Sequence, residues 1–593
     1  MNDTATPVST APASTIPAPA DSADVDRNLE HLFKAGMGRW TGGISPTAMR
    51  LAFVDWLAHL QVDPAKQHEL TQTSARNAAM LLACAKNGAS PGGEPCAKPA
   101  AHDHRFDHPT WQTWPFSIAY QSFLLTEQWW HDATTGIRGV SPHHEDVVSF
   151  TARQSLDAMS PANFWWTNPE VLARLRQTGG ANLWQGALNF LEDARRAQAG
   201  QTPVGVDAYV PGRNVAVTPG EVVYRNRLIE LIRYTPTTAK VRPEPILIVP
   251  AWIMKYYIMD LSPGNSLIKY LVDQGHTVFA ISWKNPTAQD RDLGMEDYLH
   301  LGVMAALDTV GGLLPKRKVH AVGYCLGGTL LSIAAAAMAR DADDRLASVS
   351  LFAAQTDFTE PGELDLFIDD SQVAFLEDLM WKPGYLDSTR MAGTFQLIRS
   401  NDLIWSRVLK EYLMGDRPPV NDLMAWNADG TRLPYRMHSE YLRRLFLRNE
   451  LASGAYLVDA RPVALGDIAC PLFCVATIRD HVAPWRSVHK LHLLTDCELT
   501  FVLTSGGHNV GIVNPPGVPG RSFQTLTRAY DGKYLDPDAW LAEAAHREGS
   551  WWPHWLRWLQ DRSGKPVAAR TVGASGTGTV ALCAAPGTYV LQK

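Results

Sequence analysis

The spacing of apolar positions divides the chain into stretches of different texture. Residues 1–26 are rich in Ala, Pro, Ser and Thr with almost nothing to bury, which predicts a disordered tail. From residue 28 to about 84 apolar side chains recur three and four apart, as in Met49, Leu51, Val54, Trp56, Leu57 and Leu60. That is the period of a helix with one buried face. Gly and Pro break the pattern across 86–104, which reads as a linker, and it resumes over 111–196 with Trp129-Trp130 and Trp165-Trp166 as large anchors. Residues 27–200 therefore read as a mostly helical N-terminal domain.

Beyond residue 201 the texture changes. Residues 222–224 and 228–234 predict two strands closed by a turn at Asn226-Arg227. Apolar, β-prone runs follow at 246–249, 277–281, 319–322, 347–352, 472–476 and 499–503, with helical segments between them. Strands alternating with helices predict an α/β domain, a mostly parallel sheet covered on both faces, over 201–593. The stretch 353–470 breaks this rhythm, and an insertion of that length predicts a lid or cap.

The run 318–340, KVHAVGYCLGGTLLSIAAAAMAR, carries the chemistry. A strand meets Gly323-Tyr324-Cys325-Leu326-Gly327, and a helix follows at once. Strand, G-x-nucleophile-x-G, helix is the nucleophile elbow of the α/β-hydrolase fold, here with Cys in place of Ser. The turn is so sharp that the neighbours at minus two and plus two must be small, and the helix dipole behind Cys325 favours a thiolate. By itself such a pattern also fits a buried Cys beside packing glycines. The chain order nucleophile, acid, base then predicts an acid after a late strand and a His after the last. Asp480 follows 472–476, and His508 follows 499–503. In this arrangement Cys325 attacks, His508 takes its proton, and Asp480 orients the imidazole. His481 is the rival base, but it adjoins Asp480 and turns back onto it poorly. For the oxyanion, the candidate donors are the backbone N–H of Leu326 and that of Ile253 or Trp252, in the loop after 246–249.

Composition narrows the alternatives. The chain has 593 residues, 46% hydrophobic and 19% charged, which suits a globular protein of more than one domain. A net charge of −6 without a long basic run excludes nucleic acid as the main partner. Seven irregularly spaced cysteines point to free thiols in a reducing compartment. The N-terminus has neither a basic nor an apolar signal region, and no apolar run reaches the ~20 residues of a membrane span. These features predict a cytoplasmic protein without a transmembrane segment. Cys470, Cys474 and Cys497 read as buried thiols rather than metal ligands, since Cys474 falls inside a predicted strand. His143-His144-Glu145 reads as a solvated helix start. No metal site is predicted.

A wider set of motifs resembles the polyhydroxyalkanoate synthases: GYCLGG, PAWIMKYYIMDL (250–261), SWKNP (282–286), DHVAPW (480–485) and SGGH with NPPG (505–508, 514–517). SPANF, TNPEVL, GGANL and RNVAVTPGEVVYRN upstream, with GSWWPHW and the terminal APGTYV downstream, extend the resemblance over nearly everything after the tail. Length and N-terminal extension resemble the single-subunit, short-chain class I. Met254, Arg479 and Asn509-Val510-Gly511 depart from the family's commonest residues without touching the triad. The resemblance implies a Cys-bound intermediate and polymerisation of (R)-3-hydroxyacyl-CoA, of which 3-hydroxybutyryl-CoA is the expected unit, with release of CoA. The thioester is then a substrate, and no cofactor is implied. The growing polyester, the granule surface, a second copy in a homodimer and granule-associated proteins are the implied partners. A thioesterase or esterase of the same fold is the alternative reading, and a non-catalytic granule coat a third. The intact Cys325, Asp480 and His508 speak against the coat.

Overall fold

The computed structural model describes residues 30–31, 33–38, 41–87, 95–100, 103–398, 400–569 and 581–593, so the tail expected at 1–26 lies outside it. Helices come first: α1 (Pro46–Gln61), α2 (Pro64–Asn87), α3 (Phe116–Thr134), α4 (Pro142–Met159), α5 (Pro169–Thr178) and α6 (Ala181–Gln198). Their ends follow local rules. Ser45 caps α1 by accepting the Ala48 N–H, with Pro at the first turn. Asn168 caps α5 in the same way, and Gly179 stops it at a φ of 59°. Two small cores hold this layer together, one around Phe106, Trp111 and Tyr120, the other around Ala52, Trp56 and Val147. Leu366, from the inserted segment, packs into the second. The apolar period predicted from the sequence therefore reflects real packing, though in small satellite cores.

The sheet begins with β1 (Gly220–Arg225) and β2 (Ile229–Tyr234), and continues with β3 (Ile246–Val249), α7 (Leu267–Asp273), β4 (Val278–Trp283), β5 (Val319–Tyr324) and α8 (Leu326–Arg340). β6 (Leu346–Phe352) precedes the insertion; β7 (Leu472–Thr477), β8 (Leu499–Thr504), β9 (Ser522–Arg528), β10 (Ala545–Glu548), α11 (Trp552–Asp561) and β11 (Cys583–Ala584) follow it. Within the insertion lie α9 (Asp370–Trp381) and α10 (Tyr435–Tyr441). Together the strands form one eleven-stranded sheet in the order β10-β9-β8-β7-β6-β5-β3-β4-β2-β1-β11. From β8 to β4 all neighbours are parallel, and antiparallel strands extend both edges. This is the α/β-hydrolase architecture, with a helical N-terminal region before it.

Alternation along β3 shows why the central strands read as unbroken apolar runs. Leu247 and Val249 join the core beneath α8, while Ile246 and Ile248 join the opposite core with α7 and α11. The edges read differently. β9 alternates buried and half-buried positions, and β10 is exposed throughout, so neither has the apolar run that marks a central strand. The sequence pattern stops at residue 503 for that reason.

One expectation is corrected. Cys84, in α2, is paired with Cys96 as a disulfide, their Cα atoms 6.3 Å apart, so these two are not free thiols. Spacing alone hides this, because the pair is made by the chain doubling back after α2. Among the described residues no helix is long and apolar enough to cross a membrane.

Candidate active site

β5 delivers Cys325 at its end, and α8 begins at the next residue. Cys325 sits at φ 52° and ψ −126°, a region that L-residues avoid and that costs about 1–3 kcal/mol. The surrounding packing enforces it. A Cβ on Gly327 would lie 2.2 Å from the Val249 carbonyl oxygen, and one on Gly323 would lie 2.4 Å from the Gly328 Cα. Both glycines are therefore required by close backbone approach. The Cys325 N–H donates to the Phe352 carbonyl at 2.8 Å, tying the turn to β6.

Asp480 lies just after β7, its side chain wholly buried. Every lone pair it presents is used. Oδ1 accepts the N–H groups of Val482 at 2.9 Å and Ala483 at 2.8 Å. Oδ2 accepts the Thr477 hydroxyl at 3.1 Å and stands 2.8 Å from Nδ1 of His508. A carboxylate so held cannot turn away from the imidazole. His508 lies in the loop after β8, and burial works against its charged form. The carboxylate of Asp480 and the sulfur of Cys325, through charge and hydrogen bonding, outweigh that and hold its pKa well above the usual range. Tyr324 flanks the ring at 5.7 Å and donates its hydroxyl to Asn509 at 2.5 Å. His481, by contrast, is exposed and makes no side-chain hydrogen bond to Asp480 among the described residues.

The candidate oxyanion donors meet at the same place. Leu326, Ile253 and Trp252 all line a cavity of about 110 Å³ that opens onto Cys325. The loop bearing Trp252 and Ile253 is fixed through its carbonyls, which accept the Thr431 hydroxyl at 2.5 Å and the Thr431 N–H at 3.2 Å. Among the described residues, no hydrogen bond engages the N–H of Ile253 in this loop or that of Leu326 at the start of α8.

Two contributions escape the sequence reading. The insertion covers the cavity with His438 and Tyr441 of α10 and with Leu442 and Phe446 just after it. Burial pushes the His438 pKa down to about 4, so its imidazole is neutral, and burial likewise keeps Tyr441 a phenol. The N-terminal region adds Gly42, Gly43 and Ile44 to the wall. His438, Tyr441 and Leu442 share a helical face three and four apart, the one signal that could have found them. Of the thiols weighed as ligands, Cys474 is buried within β7, and burial raises the pKa of Cys497 to about 11. Among the described residues no cluster of three His, Cys, Asp or Glu could hold a metal.

Comparison with known proteins gives matches along most of the chain. The family profiles described as "Poly-beta-hydroxybutyrate polymerase N terminal" and "Poly-beta-hydroxybutyrate polymerase (PhaC) N-terminus" match residues 25–66 and 102–271, and that of the alpha/beta hydrolase fold matches 244–515. The poly(3-hydroxyalkanoate) polymerase of Methylorubrum extorquens is 42% identical over 506 residues, 84% of this chain and 82% of that protein. The PhaC subunit of the Rhizobium etli polymerase is 37% identical, over 83% of this chain and 77% of that one. The corresponding subunit of Cupriavidus necator is 35% identical over 547 residues, 91% of each chain.

Proposed function

The chain belongs to the poly(3-hydroxyalkanoate) polymerase family, a polyester synthase and hence an acyltransferase, and from that premise we propose that it grows its polymer on Cys325. The observation that carries this is the Cys325, His508 and Asp480 constellation on a strained elbow. His508 takes the thiol proton, and the sulfur attacks the thioester carbonyl of an (R)-3-hydroxyacyl-CoA. The oxyanion is stabilised by the N–H of Leu326 and of Ile253 or Trp252. The carbonyl then re-forms, the bond to the CoA sulfur breaks, and His508 gives its proton to that sulfur, so that CoA leaves as the thiol and His508 is neutral again. In elongation the 3-hydroxyl of the next acyl-CoA gives its proton to His508 and attacks the Cys325-bound chain. An ester forms and the thiol is regenerated. Cys325 then takes the lengthened chain back from CoA by a second round of the first step.

The small cavity and the short-chain resemblance support 3-hydroxybutyryl-CoA as the unit. Met254, which pairs across a β-bridge with Gly430, follows the lining residues Trp252 and Ile253 in the chain and is the departure placed to tune it through them. Attachment to the polyester granule is supported by exposed apolar side chains on α6, and homodimerisation by the resemblance alone.

The experiment is single-turnover quench with 3-hydroxybutyryl-CoA, peptide mass analysis at Cys325, and recovery of insoluble polyester. Cys325→Ala should abolish CoA release, while wild-type enzyme should carry an acyl group on Cys325. Free hydroxy acid in place of polyester would identify a hydrolase, and substantial turnover by Cys325→Ala would remove the nucleophile.

A further inference from the structure

A second cavity, of about 160 Å³, lies against the one that holds Cys325. Ala48, Met49 and Ala52 of α1 and Val147 and Phe150 of α4 form one side, and Leu366 of the insertion faces them. Ile44, Phe367 and Gln372 line both cavities and form the partition between them. The side chain of Gln372 ties the partition to the N-terminal region: it accepts the Ser45 N–H at 2.6 Å and donates to the Gly43 carbonyl at 2.8 Å. Phe367 is half-buried and bound by packing alone.

The charges of the two chambers differ. Arg390 lines the chamber of Cys325, whereas in the second the charged lining residues His143 and Asp369 pair with each other at 3.6 Å. The nucleotide end of an acyl-CoA bears phosphates, and the imidazoles of this wall are already engaged by carboxylates, His143 with Asp369 and His144 with Asp55. A polyester is neutral, a repeat of short alkyl segments and ester carbonyls, and it suits an apolar chamber with few polar groups. A chain fixed at one end to Cys325 also gains a unit with each turnover, and the first chamber is soon full.

We propose that the second cavity is a binding site for the nascent polyester, receiving the units distal to Cys325 once they pass Ile44, Phe367 and Gln372. This rests on the reading of Cys325 as the point of attachment. The N-terminal helices are then more than a covering layer: together with the insertion they form the wall along which the product leaves.

Two measurements test it. Ala48→Trp fills the chamber from α1; overpacking of this size amounts to a factor of roughly ten or more, and polymer length should fall by that factor while first acyl transfer slows far less. Separately, Thr151→Cys places a thiol in the chamber, a mild change because the Thr151 hydroxyl only donates to the Val147 carbonyl of its own helix. N-ethylmaleimide should alkylate that thiol in free enzyme, followed by mass analysis of the peptide containing position 151. Labelling should slow about tenfold or more once several units are loaded, and little after one. Polymer of ordinary length from Ala48→Trp, or a position 151 that is never alkylated or never protected, overturns the proposal. If wild-type enzyme carries no acyl group on Cys325, it is the catalytic reading that fails, which the same quench samples report.

Discussion

Helices α8 and α6 are of similar length and both carry many apolar residues, yet they are packed in opposite senses. Every residue of α8 from Leu326 to Met338 is buried, which is what a helix laid across a sheet under a lid must show. In α6 the buried residues are Asn182, Gly186 and Asn189, while Trp184 is 70% and Leu191 62% exposed. Polar bonds dock α6. Asn182 and Asn189 donate to the carbonyls of Leu413 and Glu411 at 2.7 and 2.9 Å. Asp193 accepts from Arg407 at 2.6 Å and from the Tyr412 hydroxyl at 2.9 Å. The difference teaches that an apolar stripe states which face of a helix is greasy. It does not state which face is inside.

Both helices depend on one glycine, and the largest effects should come from there. Gly327→Ala drives a Cβ into the Val249 carbonyl, and Gly186→Ala drives one to within 1.8 Å of the Tyr412 carbonyl oxygen. Each overpacking costs about 1–3 kcal/mol in thermal or chemical unfolding. The readouts separate them. Gly327→Ala shifts the reacting sulfur, and a misplacement of that kind lowers turnover about 100-fold or more. Gly186→Ala lifts α6 off the insertion, so proteolysis near residues 407–417 should accelerate while turnover falls much less. Equal loss of turnover in the two would mean that α6 docking and the elbow are one cooperative unit, against the contrast drawn above.

A smaller effect should come from the exposed stripe. Trp184→Ser with Leu191→Ser removes apolar surface that is mostly exposed, so stability should stay within about 0.5 kcal/mol. If the polyester surface covers that stripe, each side chain contributes up to about 2 kcal/mol to adsorption, and binding to polyester particles should drop more than tenfold. Sedimentation with and without particles measures it. Undiminished adsorption would assign the granule contact to another surface.

The same contrast explains what the sequence made legible. The parallel strands were readable because each is apolar on both faces, and the chain order of the fold is what pointed to Cys325, Asp480 and His508, which the structure brings near one another. Cys325, Asp480 and His508 each follow a run that cannot be anything but a central strand. β9 and β10 were not readable, since an edge strand needs no apolar run and announces itself only by its partner. Gly42 to Ile44 come to the cavity by contacts that span hundreds of residues, and nothing local marks them, while His438 is marked only by its helical spacing to Tyr441 and Leu442. The pairing of Cys84 with Cys96 is of the same kind. The helical period over 111–196 was correct as secondary structure and silent about orientation, as α6 shows.

The smallest expected effect lies where the helical layer meets the insertion, at His143 of α4. Ion pairing with the carboxylates of Asp365 and Asp369, at 3.9 and 3.6 Å, pushes its pKa up to about 9, with burial opposing. Asp146 and Glu145 on its own helix add negative charge nearby, while Arg153 is engaged with Glu363 at 3.6 Å. The unfolded imidazole titrates near 6.5, so the folded value is the raised one. The contact therefore stabilises fully below about pH 6.5 and is lost as pH rises through 9, because only the protonated ring is held. His143→Gln should lower the melting temperature by only a degree or two at pH 6, and the difference from wild type should vanish by about pH 10. Amide exchange across Glu363–Phe367 gives the local form of the test, since that segment faces α4. Exchange there should quicken with pH in wild type beyond the intrinsic chemical rate, and not in His143→Gln. A difference that is constant from pH 6 to 10 would show that His143 holds the two regions by packing and not by its charge.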